Sequence, residues 1–230
     1  DIDDYRLDST TKVEEQNLHA GVRAIGEFLP QNESWADFAV LSGSRDVNST
    51  GSRDILGWAY DIGTTWSPPF AEPLYFTWGY ALGSGDDSTT GTDGNFRQTG
   101  LQDNTAKFGG VTSFQYYGEL MDPELSNLGI FTLGAGAILT KKVSLDFVYH
   151  TYTQDVAANE LTFGPVESNL RRASLTGTDA DIGSEFDVVF GYRRFAEWDL
   201  EIVGAWFQAG DAWTVGDDAF MTKVQLRYRF

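Results

Sequence analysis

The feature that most constrains this chain is an apolar alternation of period two that recurs along its length. Leu74, Phe76, Trp78, Tyr80 and Leu82 share one parity, with Tyr75, Thr77, Gly79 and Ala81 between them. Leu56, Trp58, Tyr60 and Ile62 oppose Gly57, Ala59, Asp61 and Gly63 in the same way. Val143, Leu145, Phe147 and Tyr149 oppose Ser144, Asp146, Val148 and His150. Phe186, Val188, Phe190 and Tyr192 oppose Glu185, Asp187, Gly191 and Arg193. At the end of the chain Phe220, Val224, Leu226, Tyr228 and Phe230 oppose Lys223, Gln225, Arg227 and Arg229. Successive side chains of a strand point to opposite faces, so each segment reads as a strand with one large apolar face.

Two architectures alternate like this. A soluble sandwich turns the apolar face inward and the polar face to water. A membrane barrel turns the apolar face to lipid and the polar face to its lumen. The strands run to about 10 to 13 residues, as a tilted bilayer-crossing strand requires. Aromatic residues, 14% of the chain, gather at strand ends (Trp58, Tyr60 and Trp66; Tyr75, Trp78 and Tyr80; Tyr149; Tyr192; Tyr228), as in interfacial girdles. The most apolar run, Ile130 to Leu139, is about half of the roughly 20 residues a membrane-spanning helix needs. The expected fold is all-β, a transmembrane antiparallel β-barrel.

Nine strands are predicted, over 17–28, 35–44, 53–66, 73–84, 128–139, 143–154, 184–195, 199–208 and 219–230. Short connections (29–34, 67–73, 140–142, 196–199) alternate with long or Gly/Asp-rich ones (43–52, 85–127, 155–183, 209–218). Outer-membrane barrels have short periplasmic turns and long outer loops, which orients the chain. Residues 1–16 then fall in an outer loop, and segment 113–120 sits inside the long loop as a short strand or helix. Residues 1–230 form a single barrel domain. Loop 85–127 lies outside or folds into the lumen, where Phe96, Arg97 and Gln98 would narrow the channel. Nine is odd, and closing nine antiparallel strands would pair the first and last in parallel. Bacterial barrels use even numbers, so this chain is expected to be about half of a larger barrel.

Composition bounds the chemistry. Lys plus Arg is 16 against 34 Asp plus Glu, a formal charge of −18, which repels nucleic acid. With no cysteine, disulfides, thiolate metal sites and cysteine nucleophiles are excluded. His19 and His150 are the only histidines, which argues against a multi-histidine zinc site. Asp61 with Asp146, or Glu185 with Asp187, could be drawn as a glycosidase pair. Carboxylates sharing a strand face are common without chemistry, and no nucleophile with a placed histidine accompanies them. No catalytic residue is assigned, and His150, close to Tyr152, reads as a hydrogen-bonded wall residue.

Charge placement gives the candidate pore residues. Lys223, Gln225, Arg227 and Arg229 share the parity opposite the lipid-facing row. A cation facing lipid costs about 2–4 kcal/mol at the bilayer midplane, so the lumen is their place. Arg23 and Arg193 share lumen parity, and Arg97 would join them if its loop folds inward. Such a basic stripe attracts carboxylates or sulfates, with Arg offering a bidentate grip. Lumen acids are as numerous: Glu27, Asp37, Asp61, Asp146, Glu185, Asp187 and Glu201. They either pair within the wall or form a row that sets up a transverse field. Asp86 and Asp87 offer oxygen ligands for a structural calcium, against the alternative of a solvated acidic loop. No other cofactor is expected.

Several stretches then resemble one family. Asn95-Phe96-Arg97-Gln98-Thr99-Gly100-Leu101-Gln102-Asp103-Asn104 is similar to a loop motif of the alginate-export outer-membrane porins. So are Gly79-Tyr80-Ala81-Leu82-Gly83-Ser84-Gly85-Asp86, the Val148-Tyr149-His150 strand, Asp181-Ile182-Gly183-Ser184-Glu185-Phe186-Asp187 and Gly210-Asp211-Ala212. Their order is that of the family's C-terminal half, over most of residues 50–230. The resemblance implies an eighteen-stranded barrel of which this chain supplies the last nine strands. It implies passive export of an anionic polysaccharide, alginate, through an arginine-lined lumen in a Gram-negative outer membrane. The partners implied are the lipid bilayer with its lipopolysaccharide, the polysaccharide, and periplasmic export proteins. The terminal Phe230 resembles the end signal read by the outer-membrane insertion machinery. One departure is that Glu201 and Val203 stand where the family pattern carries basic residues. The alternatives are a general porin for small polar or anionic solutes, and a plugged structural or adhesive barrel.

Overall fold

The computed structural model describes residues 2–6, 12–28, 30–47, 51–87, 91–98, 108–161, 175–195, 198–216 and 218–228. Eleven strands form one sheet: β1 (Ile2–Arg6), β2 (Lys12–Gly26), β3 (Asn32–Val47), β4 (Gly51–Trp66), β5 (Leu74–Gly83), β6 (Thr92–Asp93), β7 (Leu128–Thr140), β8 (Val143–Thr153), β9 (Asp181–Phe195), β10 (Trp198–Ala209) and β11 (Ala219–Tyr228). The order is β1-β2-β3-β4-β5-β7-β8-β9-β10-β11, and β6 lies on β4 off this path. Every pairing along the path is antiparallel, whereas β6 pairs β4 in parallel through Asp54–Thr92 and Ile55–Asp93.

The nine long strands follow the alternation. The row expected to face lipid is exposed: Trp78 at 49%, Phe147 at 44% and Tyr228 at 51%. Leu18, Val22, Leu56, Leu133, Trp206, Phe220, Val224 and Leu226 stand on the same outer face. The opposite parity is small, polar or covered. A wall this apolar on its outside is stable against hydrocarbon and unstable against water.

The sheet does not close on itself among the described residues. β11 has a neighbour on one side only, and β2 beyond Gln16 is likewise paired only to β3. Backbone groups left unpaired in hydrocarbon cost several kcal/mol each, so both edges call for further strands in the membrane.

Three expectations need correction. Residues 2–6 and 12–16 are strand rather than loop, because β1 pairs with the start of β2 from Ile2–Gln16 to Arg6–Lys12. Residues 43–47 and 51–52, expected in a long loop, are strand as well: β3 and β4 continue pairing from Gly43–Ile55 up to Val47–Gly51. Outside the bilayer a strand needs no continuous greasy face, so the period-two signal fades where the pairing does not. Segment 113–120 is neither strand nor helix; it runs through turns at 116–117 and 119–121.

Those turns lie on the inner face of the sheet. Phe96, Tyr116, Tyr117, Met121 and Leu125 from the 84–127 connection join Trp35, Leu41, Ile55, Ile130, Tyr152 and Phe207 of the wall in one buried cluster. A second cluster joins Phe114 to Val148, Val189, Val203 and Ala205. Burying each large apolar side chain contributes about 1.5–3 kcal/mol, which offsets the entropy of ordering so long a connection. The wall makes room with glycine: a Cβ on Gly79 would run into Tyr116 Oη, and one on Gly134 would lie 2.7 Å from the Phe108 ring.

Candidate functional site

The candidate site is the inner face of the sheet with the connection laid across it. Asp61 on β4 accepts hydrogen bonds from Trp35 Nε1 at 2.8 Å and from the Tyr117 hydroxyl at 2.9 Å. Burial, reinforced by the negative charge of Asp61, holds the Tyr117 phenol well above its usual range, so it remains a donor. Trp35 meets Tyr116 edge to face, with ring centres 5.4 Å apart. On β8, Asp146 accepts from the Tyr75 hydroxyl, and Ser144 Oγ accepts from the Val111 amide at 2.9 Å.

The densest contacts centre on β9. Glu185 accepts the Leu120 and Met121 amides at 2.7 and 2.9 Å, and Asp187 accepts the Glu119 amide at 3.3 Å. The Tyr152 hydroxyl is 2.9 Å from the Tyr117 carbonyl and 3.4 Å from Glu185 Oε2. From β11, Lys223 reaches Glu119 of the loop and, at 3.2 Å, Glu201 of β10. Burial raises the Asp122 carboxyl above its ordinary range; Glu119 adds to the rise and Lys223 opposes it.

The predicted pore residues separate into two groups. Asp146, Asp187 and Glu201 point inward, but the loop covers them, leaving 1%, 0% and 3% exposed. They line the seat of the loop rather than open space. The bases stay accessible. Arg23 grips Asp37 through two 2.9 Å hydrogen bonds, with side chains 44% and 12% exposed. Arg193 pairs with Asp199 at 2.8 Å, 42% against 6%. Lys223 is 33% exposed beside its nearly sealed acids. Arg227 stands in register with Asp199, half-buried, and donates to Gln225 Oε1 at 2.8 Å. Arg229 and Phe230, and residues 99–104 of the loop motif, lie outside the described residues.

Arg97 does fold inward, tied to Asp93 at 2.6 Å and to Glu15 at 3.1 Å, while its carbonyl faces His19 Nε2 at 3.1 Å. Phe96 is buried against the wall, and Gln98 accepts the Leu125 amide at 2.6 Å. Beside them, at the β2 edge, a recess of about 290 Å³ is lined by His19, Gly21, Arg23, Asp37, Ala39 and Phe96. Asp86 is engaged by Arg53 at 2.9 Å, and Asp87 is exposed. Among the described residues no group of three or more carboxylates and histidines is arranged to hold a metal ion. His150 is sealed in the wall, shares a hydrogen bond with Thr132 Oγ1 at 3.0 Å and lies 3.6 Å from Asp187.

Sequence reasoning missed Tyr75, Tyr117, Glu119 and the 119–121 amides. A signal was present: the run Phe114-Gln115-Tyr116-Tyr117 is too aromatic for a solvated loop, and inward-facing Gly63, Gly79, Gly134 and Gly136 leave hollows for rings.

The family model described as "Alginate export" matches residues 2–226. The chain is 28% identical to "Alginate production protein AlgE" of Pseudomonas aeruginosa strain PAO1, over 91% of this chain and 48% of that protein. It thus spans about half the length of the curated relative it matches. Among solved structures, the outer membrane channel DcaP of Acinetobacter baumannii superposes with a TM-score of 0.46 at 15% identity, over 99% of this chain and 61% of that one. With nine long amphipathic strands and a family match along nearly its whole length, the chain is a stretch of outer-membrane β-barrel wall and belongs to the alginate-export family.

Proposed function

We propose that this chain builds half the wall of an outer-membrane passage for an anionic polysaccharide, with alginate as the polymer. The observation that carries this reading is the sorting of inward-facing charge by accessibility. The inner acids Asp61, Asp146, Glu185, Asp187 and Glu201 are sealed beneath the loop, while Arg23, Arg193 and Lys223 remain within reach of a solute. An overall charge of −18 thus coexists with an inner face on which three bases are accessible and most predicted lumen acids are covered; Glu27, just past the end of β2, is exposed, and Asp37 is held by Arg23. Guanidinium groups standing off a carboxylate already paired with them can still take part in bidentate contacts to a passing uronate.

The complete barrel is read as eighteen-stranded. Nine long strands occupy a chain that matches 48% of its relative. Their first and last members run in the same direction, so an odd number of further strands is needed to close the ring antiparallel. Periplasmic partners that deliver polymer would meet the short-turn end, near Arg193 and Arg227.

The experiment is conductance of the full-length protein in planar bilayers. Ion current that alginate blocks and neutral glucans of similar length leave unchanged is the expected result. Equal block by both polymers would reduce the reading to a general porin, and absence of current would leave a plugged barrel.

A further inference from the structure

The wall acids and the loop that covers them form one device. Three consecutive amides, those of Glu119, Leu120 and Met121, point at two carboxylates two positions apart on β9. Gly118, at φ +112°, turns the chain so that they can. Hydrogen bonds from amides to a carboxylate are charge-assisted and about twice as strong as neutral ones. Around this clamp the segment covers its neighbours as well. Tyr117 caps Asp61, Glu119 shares Lys223 with Glu201, and a Cβ on Gly110 would lie 2.8 Å from Asp146 Oδ2. With the segment seated, the five wall carboxylates are each at most 3% exposed. With it removed they would be open to water. Within the same patch Lys223 pairs with Glu201, and His150 lies 3.6 Å from Asp187.

We propose that Glu185 and Asp187 are positioning residues that dock amides 119–121 in the lumen, and that the docked segment is a charge mask. It hides the acids of the wall, so displacing it converts this face of the passage from anion-attracting to cation-attracting. The proposal deepens the reading of the lumen as an anion passage and rests on it.

Three variants of the full-length protein test it, each checked for a folded barrel by heat-modifiable gel migration and read by reversal potential in a salt gradient. L120P/M121P deletes two donors and keeps every wall acid. Replacement of residues 113–122 by a short Gly-Ser linker removes the mask outright. E185Q/D187N weakens the clamp while neutralising two of the acids beneath it. The first two are expected to raise conductance and to change the sign of the reversal potential toward cations. The third is expected to raise conductance with a smaller shift. Raised conductance with anion preference unchanged in the first two variants would overturn the mask. Unchanged conductance in both would show that the segment does not stand in the path, which overturns it as well. A wild-type protein that prefers cations would instead refute the anion passage itself.

Discussion

Gly118→Ala probes the docked segment with a single methyl group. Gly118 has φ +112°, a conformation that residues with a Cβ rarely adopt. The backbone strain amounts to about 1–3 kcal/mol. The added Cβ would also run into Tyr152 Oη and lie 3.1 Å from Glu185 Oε1. Tyr152 is fully buried and already bonded to the Tyr117 carbonyl, so it has little room to yield. Overpacking of this kind costs about another 1–3 kcal/mol. Even the lower sum, about 2 kcal/mol, shifts the docking equilibrium roughly thirty-fold, since each 1.4 kcal/mol is a factor of ten. The readout is chymotrypsin cleavage at the aromatic residues of 108–117 in folded, detergent-solubilised protein, together with the frequency of current fluctuations in bilayers. Both are expected to rise. Gly204→Ala is the control, because nothing lies within 4 Å of the Cβ it would gain. A Gly118→Ala protein that is cut and conducts like wild type would refute the claim that the 116–122 segment is held by close fit.

Three further outcomes follow from the same geometry. Trp78→Arg, on the lipid face, is expected to lower the stability of the folded barrel in vesicles by about 2–4 kcal/mol in a denaturant titration, whereas Thr77→Ser on the inner face should change it little. Arg193→Glu combined with Arg227→Glu reverses accessible charge beside Asp199 and is expected to weaken alginate block and anion preference together; unchanged block would remove this end of the wall from the polymer's path. Asp122 binds its proton more tightly in the docked segment than in a free one, so this group favours docking as pH falls through its raised value and opposes docking above it. Asp122→Asn should therefore slow cleavage of the segment at neutral pH and flatten that part of the pH dependence.

The wall was readable in the sequence because the bilayer enforces a strict rule on each spanning strand. Trp78, Phe147 and Tyr228 had to point one way, and Glu185, Lys223 and Arg227 the other. The rule lapses outside hydrocarbon, which is why the β1–β2 hairpin and the upper ends of β3 and β4 escaped notice. The site was half legible. Parity placed Arg23, Arg193 and Lys223 on the inner face, but nothing local in Glu119 or Tyr117 says which distant carboxylate each will meet. Those contacts join residues more than fifty positions apart and depend on how a turn at Gly118 aims its amides. Accessibility was equally hidden: Asp187 and Arg193 have the same parity on one strand, and only the covering segment separates a sealed acid from a reachable base.

The aromatic cluster of Tyr116, Tyr117, Tyr152 and Phe207 gives this side of the tube a filled, dry backing. Close-packed interiors of that kind yield little to pressure. A polymer threading past would slide along a stiff bank, and any widening for a bulkier sugar has to come from elsewhere around the circumference.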